Sequence, residues 1–334
     1  MSGLEIDVLA DFASLEALRD EWGDLCDRCP RATPFQRPEW LIPWNREFPP
    51  WEPWILTARR EGRLIGLLPL FLYNNQDRGE RTLAFFGAGL SDVHELLADP
   101  GEEREVAAAF FACLDERRAA WDACDLEQLR PGSPLLETPA PPGWTDEVGR
   151  QDVCPVLELP STVEALDEVL PSRQRYNLRQ FRRRAEREHG LRLEAVGEDG
   201  LDPAMDELER RVRARWGEES LQASFQRRAA AAFLESGRLA LYVLRLGDRI
   251  AAVHYGFHEK GTLFCYLHGF DPAFEKLSPG VLLLGGVIED AVRSGAREID
   301  FLRGRETYKY RWGARDRENR RRRLGPSSLT RWSG

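Results

Sequence analysis

Lysine is scarce in this chain, and one lysine sits where chemistry has a use for it. Of 47 basic residues only Lys260, Lys276 and Lys309 are lysine, and Lys309 stands among Tyr308, Tyr310 and Trp312 just after the apolar run 299–302. A compact ammonium there suits the oxyanion formed when an amine attacks a thioester or ester carbonyl. The competing reading is a stem packed on aromatics with its charge in solvent. Asp300, inside that run, is placed either to take or orient the proton of the attacking amine or to pair with Arg303 or Arg305. Tyr266 and His268 alternate onto one face of the preceding strand, so either reaches the same cleft unless both simply pack in the core. Ser278-Pro279-Gly280 opens an apolar helix with Ser at N-cap and Pro at N1. The amides of Gly280, Val281 and Leu282, with Ser278, are candidate phosphate donors, against plain N-capping as the alternative. Asp92 and His94 in the Gly-rich loop 87–94, and Arg303 and Tyr308, are the candidate substrate contacts. No cysteine or serine has a clear activating partner, so direct attack by the acceptor is expected.

Metal chemistry is not expected. His254 and His258 lie four residues apart on one strand, which separates them by roughly 13 Å and keeps them from sharing an ion. Cys26 and Cys29 form a C-x-x-C without a second pair or a ligand-spaced histidine, so they read as packing residues.

The elements that must position these groups alternate. In the first half a strand at 4–9, a helix at 12–28, a Pro- and Trp-rich stretch at 30–53 with a short helix, and a hairpin of 54–60 with 64–73 turning at Glu61-Gly62-Arg63 are followed by a strand at 82–86, the Gly-rich loop, a helix at 102–118 and a strand at 125–129. Prolines and small residues at 131–143 mark a boundary, placed at 145, between a domain of 1–145 and one of 146–334. The second half reads as a strand at 153–159, helices within 163–189, a strand at 191–196, helices at 202–216 and 225–235, and a meander of 239–246, 250–258 and 262–270 turning at Gly247-Asp248 and Glu259-Lys260-Gly261. The helix at 281–294 and a strand at 298–302 follow, then a basic tail. A strand on either side of an exposed helix start can part to admit a linear donor whose phosphates meet the helix amides.

Composition narrows the class. At 334 residues, 42% hydrophobic and 31% charged, the chain has material for a large core or two domains. It has no run approaching the roughly 20 apolar residues of a membrane helix. Its acidic start lacks the pattern of a secretory signal, so a cytoplasmic protein is expected. A formal charge of -9 argues against a general nucleic-acid binder. Yet seven arginines fall at 173–187 and nine at 303–323, which suggests a focused anionic partner or, equally, a solvated face in a chain that prefers arginine. Five of the ten tryptophans lie in the first 54 residues and read mostly as core, with a sugar platform as the alternative.

Thr33-Pro-Phe-Gln-Arg-Pro-Glu-Trp40, Gly66-Leu-Leu-Pro-Leu70, Ser91-Asp92, the Arg-rich helix 176–187, Leu277-Ser-Pro-Gly-Val-Leu282 and the segment from Asp300 to Gly313 occur in an order and spacing that covers most of the chain. In these segments it resembles the GNAT-fold N-acetyltransferases, specifically the CelD-like subgroup of cellulose biosynthesis, which is similar to the FemABX aminoacyl transferases. The resemblance implies an α+β fold of two tandem GNAT-like (acyl-CoA N-acyltransferase) halves, with mixed, mainly antiparallel sheets flanked by helices. The first half would be degenerate and the second would carry the donor cleft. It further implies acetyl-CoA as donor and, as acceptor, an amine on a small molecule or glycan precursor. The sequence departs from the usual pyrophosphate loop, because Ser278-Pro279-Gly280 stands in its place with one glycine. Two other readings stay open: a FemABX-like enzyme drawing its acyl group from aminoacyl-tRNA, for which the arginines at 173–187 would suit the RNA, and a catalytically silent scaffold of a polysaccharide-synthesis complex, in which Asp300 and Lys309 would be dispensable.

Overall fold

The computed structural model describes residues 3–49, 52–217 and 222–326. The strands are β1 (Leu4–Leu9), β2 (Glu52–Arg60), β3 (Arg63–Asn75), β4 (Glu80–Phe85), β5 (Leu97–Ala98), β6 (Ala123–Leu129), β7 (Trp144–Glu158), β8 (Leu191–Ala195), β9 (Leu239–Leu246), β10 (Arg249–Glu259), β11 (Thr262–Phe270), β12 (Glu298–Asp300) and β13 (Arg315–Pro326). The helices are α1 (Phe12–Glu16), α2 (Arg19–Arg28), α3 (Pro38–Glu47), α4 (Glu103–Glu116), α5 (Pro134–Glu137), α6 (Leu166–Val169), α7 (Ser172–His189), α8 (Leu201–Trp216), α9 (Ala223–Glu235), α10 (Pro279–Arg293) and α11 (Thr307–Arg311). Among the described residues no helix is long and apolar enough to cross a membrane.

Two compact units divide the chain, one ending at Asp152 and resuming at Glu318, the other Val153–Arg317. The composition change expected near 145 therefore falls inside a strand, β7. The C-terminal strand, expected with the second domain, pairs over Arg320–Leu324 with β6 of the first unit. In the first unit the sheet runs β1-β2-β3-β4-β6 and then β13; in the second it runs β7-β12-β11-β10-β9-β8.

Turn chemistry sets the hairpins. Glu61 and Gly62 have φ of 51° and 78°, and Lys260 and Gly261 have 51° and 75°. Two consecutive left-handed residues make the type I′ turn whose twist matches that of paired strands. The registers Arg60↔Arg63 and Glu259↔Thr262 follow from two-residue loops.

Each unit contains the same strand–helix–strand motif. In the first, β4, α4 and β6 form a parallel ladder, Thr82↔Ala123, Leu83↔Cys124 and Ala84↔Asp125. In the second, β11, α10 and β12 form another, Thr262↔Glu298, Leu263↔Ile299 and Phe264↔Asp300. The helix between each pair is apolar on its inner side and covers a core: Val106, Phe110 and Leu114 in α4, Leu283, Val287 and Ile288 in α10. Burying one such side chain contributes about 1.5–3 kcal/mol, which is what holds the helix across the two strands.

The basic tail expected at 303–323 is largely an ion-paired strand. Arg321 pairs with Asp125, Arg322 with Asp146 at 2.7 Å, Arg323 with Glu80, and Arg317 with Asp300. Part of the charge on α7 is also matched locally, Arg179 by Asp167, Arg182 by Glu289 at 2.9 Å, and Arg184 and Arg187 together by the one carboxylate of Glu188 at 3.0 Å. The tail therefore offers an anionic partner much less net charge than its arginine count suggested, and α7 somewhat less.

Candidate active site

In the second unit the parallel ladder of β11 and β12 stops after Phe264↔Asp300. The chain beyond β12 turns to β7, with the Phe301 amide donating to the Pro155 carbonyl at 2.9 Å and the Gly304 amide to Val153 at 3.0 Å. β11 itself continues to Phe270 against β10. From Cys265 onward its outer edge thus has no β12 partner among the described residues.

At the same point β11 is irregular. Tyr255 pairs with Leu267 and Gly256 with Cys265, so Tyr266 is an extra residue, a bulge. Gly256 is required beside it: a Cβ there would collide with the Phe264 carbonyl oxygen and lie 2.9 Å from the His254 Nε2. The bulge corrects the expectation that Tyr266 and His268 share a face. Tyr266 packs on Tyr255 and Phe257, with ring centroids 5.9 Å from each, on the side of Gln226 in α9. His268 is the cross-strand partner of His254 and meets Tyr308 edge-on at 5.1 Å. Strict period-two alternation fails because one residue has been inserted between the two.

His268 is the titratable group at the parting of the strands. Burial, reinforced by the positive charges of Arg215 and Lys309, pushes its imidazole down to about 4. It is a neutral proton acceptor at pH 7. Behind it His254 is buried with its Nε2 unpartnered, and burial pushes it down to about 3. Tyr308 lies between His268 and Phe301, and burial pushes its hydroxyl well up, so it stays a donor. Glu306, N-terminal to α11, is pushed up by burial, but the hydrogen bond from Lys309, a backbone hydrogen bond and the Lys309 charge leave its carboxyl below the usual range.

Lys309, whose charge reaches His268, and Asp300, at the end of the parallel ladder, are fully engaged. The Lys309 ammonium donates to the carbonyls of Leu302, Arg303 and Gly304 at 3.0, 2.7 and 3.1 Å and pairs with Glu306 at 2.9 Å. An ammonium has three donors. None is left for an oxyanion, and Lys309 instead pins the loop that leaves β12, where Leu302 takes a left-handed φ of 57°. Asp300 is fully buried; it accepts from the Leu302 amide at 2.8 Å and from Arg317. Its guanidinium partner is Arg317, while Arg305 lies 3.6 Å from Asp316, and with both oxygens occupied Asp300 is not poised as a base. Arg317 had no signal in the sequence: it lies in a continuously charged stretch, and only β13 brings it to Asp300.

The helix start also differs from expectation. Ser278 takes φ of 50° and makes no capping hydrogen bond with its side chain. The amides of Val281 and Leu282 donate to the Ser278 carbonyl at 2.9 and 3.2 Å, which withdraws both from the set of phosphate donors. Pro279 has no N–H, so Gly280 supplies the one open amide of that turn among the described residues. Its Cα faces open space apart from Phe270, 3.8 Å from a built Cβ, which places the helix start at the far end of β11.

Arg303 contributes its carbonyl to Lys309, and its side chain is half-exposed. Asp92 and His94 belong to the first unit. There the chain after β4 folds back, the His94 amide donating to the Gln128 carbonyl at 3.0 Å and His94 bridging Leu129 of β6. The His94 ring is 3% exposed and stacks 4.6 Å from Phe85, so it is packed and does not face an acceptor. The Asp92 carbonyl accepts from Asn319 at 3.1 Å. In the first unit, therefore, the chain's own loop closes on β6 beyond the end of the parallel ladder.

Residues 172–310 match the family model described as an acetyltransferase (GNAT) domain. No curated protein sequence matches the chain. Among solved structures it is similar to FemX, at 12% identity and a TM-score of 0.68, with 91% of this chain and 95% of that one covered. It is also similar to the C-terminal domain of a putative lysylphosphatidylglycerol synthetase from Agrobacterium fabrum, at 11% identity and 0.62 over 92% of each chain. The structure of L-PGS from Bacillus licheniformis aligns at 11% identity and 0.52 over 77% of this chain and 80% of that one. The α+β architecture is that of the GNAT fold.

Proposed function

We propose that the second unit holds an activated acyl donor where β11 and β12 part and transfers the acyl group to an amine. The observation that carries this reading is the end of the parallel ladder at Phe264↔Asp300 beside the bulge at Tyr266, which leaves a strand edge to line a linear donor. His268 takes the proton. When an amine adds to a carbonyl its nitrogen becomes a strongly acidic ammonium, so a neutral imidazole suffices even with its basicity lowered to about 4. Tyr308 holds the ring, and Lys309 and Asp300 fix the loop behind it.

The first unit keeps the strand–helix–strand motif but closes on itself through His94, which supports a degenerate half that binds no donor. Acetyl-CoA is the donor favoured by the family description of residues 172–310, with Gly280 and Ser278 at its phosphates. Likeness to the CelD-like subgroup favours an amine on an envelope sugar or glycan precursor. A second reading has its own support. One open amide at the start of α10 is a poor grip for a pyrophosphate, and an aminoacyl ester, as in aminoacyl-tRNA, needs none; one fold neighbour carries a name that specifies an aminoacylated lipid.

Titration calorimetry separates the readings. Acetyl-CoA and desulfo-CoA are expected to bind the wild-type protein saturably and to lose affinity in Gly280→Glu, a change the open surroundings of Gly280 accommodate. Absence of binding to any CoA species, with salt-sensitive binding of aminoacyl-tRNA, transfers the proposal to the ester donor. Binding of neither overturns acyl transfer.

A further inference from the structure

The parallel ladders of the two units end alike except at one residue. The last pair is Phe264↔Asp300 in the second unit and Ala84↔Asp125 in the first, and each aspartate is held by a guanidinium of β13, Arg317 or Arg321. Where the second unit has a phenyl ring, the first has a methyl group. A cavity of about 440 Å³ lies beside that methyl group, within the range of small-molecule pockets, roughly 300–1,000 Å³. Ala84 is half-buried and lines it. The transfer chemistry assigned to the second unit makes no use of this space.

The lining is of two kinds. Trp44 of α3 is buried at the cavity wall, and Phe48, Phe71 and Tyr73 line it half-buried. Neighbouring ring planes are inclined, by 43° between Trp44 and Phe71, 39° between Phe71 and Tyr73 and 47° between Trp44 and Phe48. Such rings make a curved apolar wall, not the two parallel faces that would clamp a flat base. The charged part of the lining is already paired: Arg321 binds both oxygens of Asp125 and lies 3.6 Å from Glu127. An ionic ligand therefore meets charges that have partners. Hydrogen-bonding capacity is left over, because the bonds to Asp125 use Nε and Nη2 of Arg321 and not Nη1, and each carboxylate oxygen has two lone pairs. A wholly apolar ligand would strip water from these atoms and return no hydrogen bond. A neutral ring with a C–H face for the aromatic wall and hydroxyls for the ion pair meets both requirements, since a hydroxyl both donates and accepts.

We propose that this cavity of the first unit binds an uncharged sugar ring, with its C–H face on Phe71 and Tyr73 and its hydroxyls on Asp125 and Arg321. The site goes beyond the transfer reaction assigned to the second unit and does not depend on it.

Saturation-transfer NMR on the full chain tests this with the methyl glycosides of glucose, galactose, mannose and N-acetylglucosamine, beside indole, adenosine, phenethylamine and phenylpropionate. At least one glycoside is expected to bind saturably and more tightly than all four comparison compounds, with saturation strongest on the C–H protons of one ring face. Ala84→Phe, which introduces the residue at the equivalent place in the second unit, is expected to abolish binding. Arg321→Lys keeps a cation beside Asp125 but removes Nη1, and is expected to weaken the sugar about tenfold. Circular dichroism and thermal melting establish that both variants fold. No binding of any glycoside, equal or tighter binding of a comparison compound, or an unchanged sugar affinity in either folded variant overturns the proposal. If Ala84→Phe does not fold, Arg321→Lys decides, and an unchanged affinity there overturns it.

Discussion

Replacing Lys309 by methionine keeps the stem and removes the ammonium. The Leu302, Arg303 and Gly304 carbonyls, now 3.0, 2.7 and 3.1 Å from Nζ, then lose their common donor. A buried polar group left unsatisfied costs about 1–3 kcal/mol. The Leu302 bond is buried, whereas those to Arg303 and Gly304 are part-buried and can be replaced partly by water. The three together are therefore expected to cost about 3–5 kcal/mol. At about 2–4 °C per kcal/mol for a unit of this size, the melting temperature falls by about 6–20 °C. Lys309→Arg is expected to lose much of the same stability, because a planar guanidinium cannot converge on three carbonyls as an ammonium does. Calorimetric melting of the wild type and both variants measures this. A lysine acting on the oxyanion gives the contrary pattern: a melting temperature within about 1 °C of wild type and a kcat reduced about 100- to 1,000-fold. That pattern would refute the assignment of Lys309 as a pin.

Asp300→Asn is expected to destabilise the second unit by about 1–3 kcal/mol in urea unfolding, since Arg317 loses its buried carboxylate but keeps Glu298 at 3.2 Å. Adding Arg317→Met should recover part of the loss; equal stability of single and double variants counts against the pair. Stability should also decline in acid because of two histidines, His254 buried and His268 half-buried. The folded imidazoles of His268 and His254 lie at about 4 and about 3, below the ordinary 6.5. The unfolded chain takes up protons as the pH drops through 6.5 while the folded chain does not, so stability present above 6.5 is lost progressively between 6.5 and about 4. Urea unfolding from pH 7.5 to 4.5 tests this, and His254→Phe should flatten the dependence; an unchanged slope counts against burial of a neutral His254.

Local chemistry was legible without the tertiary structure. The meander at 239–270, its two-residue turn at Lys260-Gly261 and the start of α10 at Pro279 all depend on side-chain alternation or on left-handed backbone at fixed positions, which neighbouring residues determine. The cluster of Asp300, Lys309, His268 and Tyr308 was also legible as a place, because the strands that carry them follow one another closely in the chain. Its chemistry was not. Whether Lys309 faces a substrate or three carbonyls depends on how the loop after Leu302 bends, and whether Asp300 is free depends on Arg317 arriving on a strand with no apolar pattern. The divergence of Tyr266 from His268 needed a bulge that only cross-strand register reveals. The arginine runs left two readings open for the same reason: charge is counted along the sequence, but its pairing is decided in space. The residues by themselves determined which elements form and where the reactive types fall. Packing between distant segments decided which of those groups keep a free proton or lone pair, because a hydrogen bond or ion pair uses donors and acceptors that the sequence can list but cannot assign.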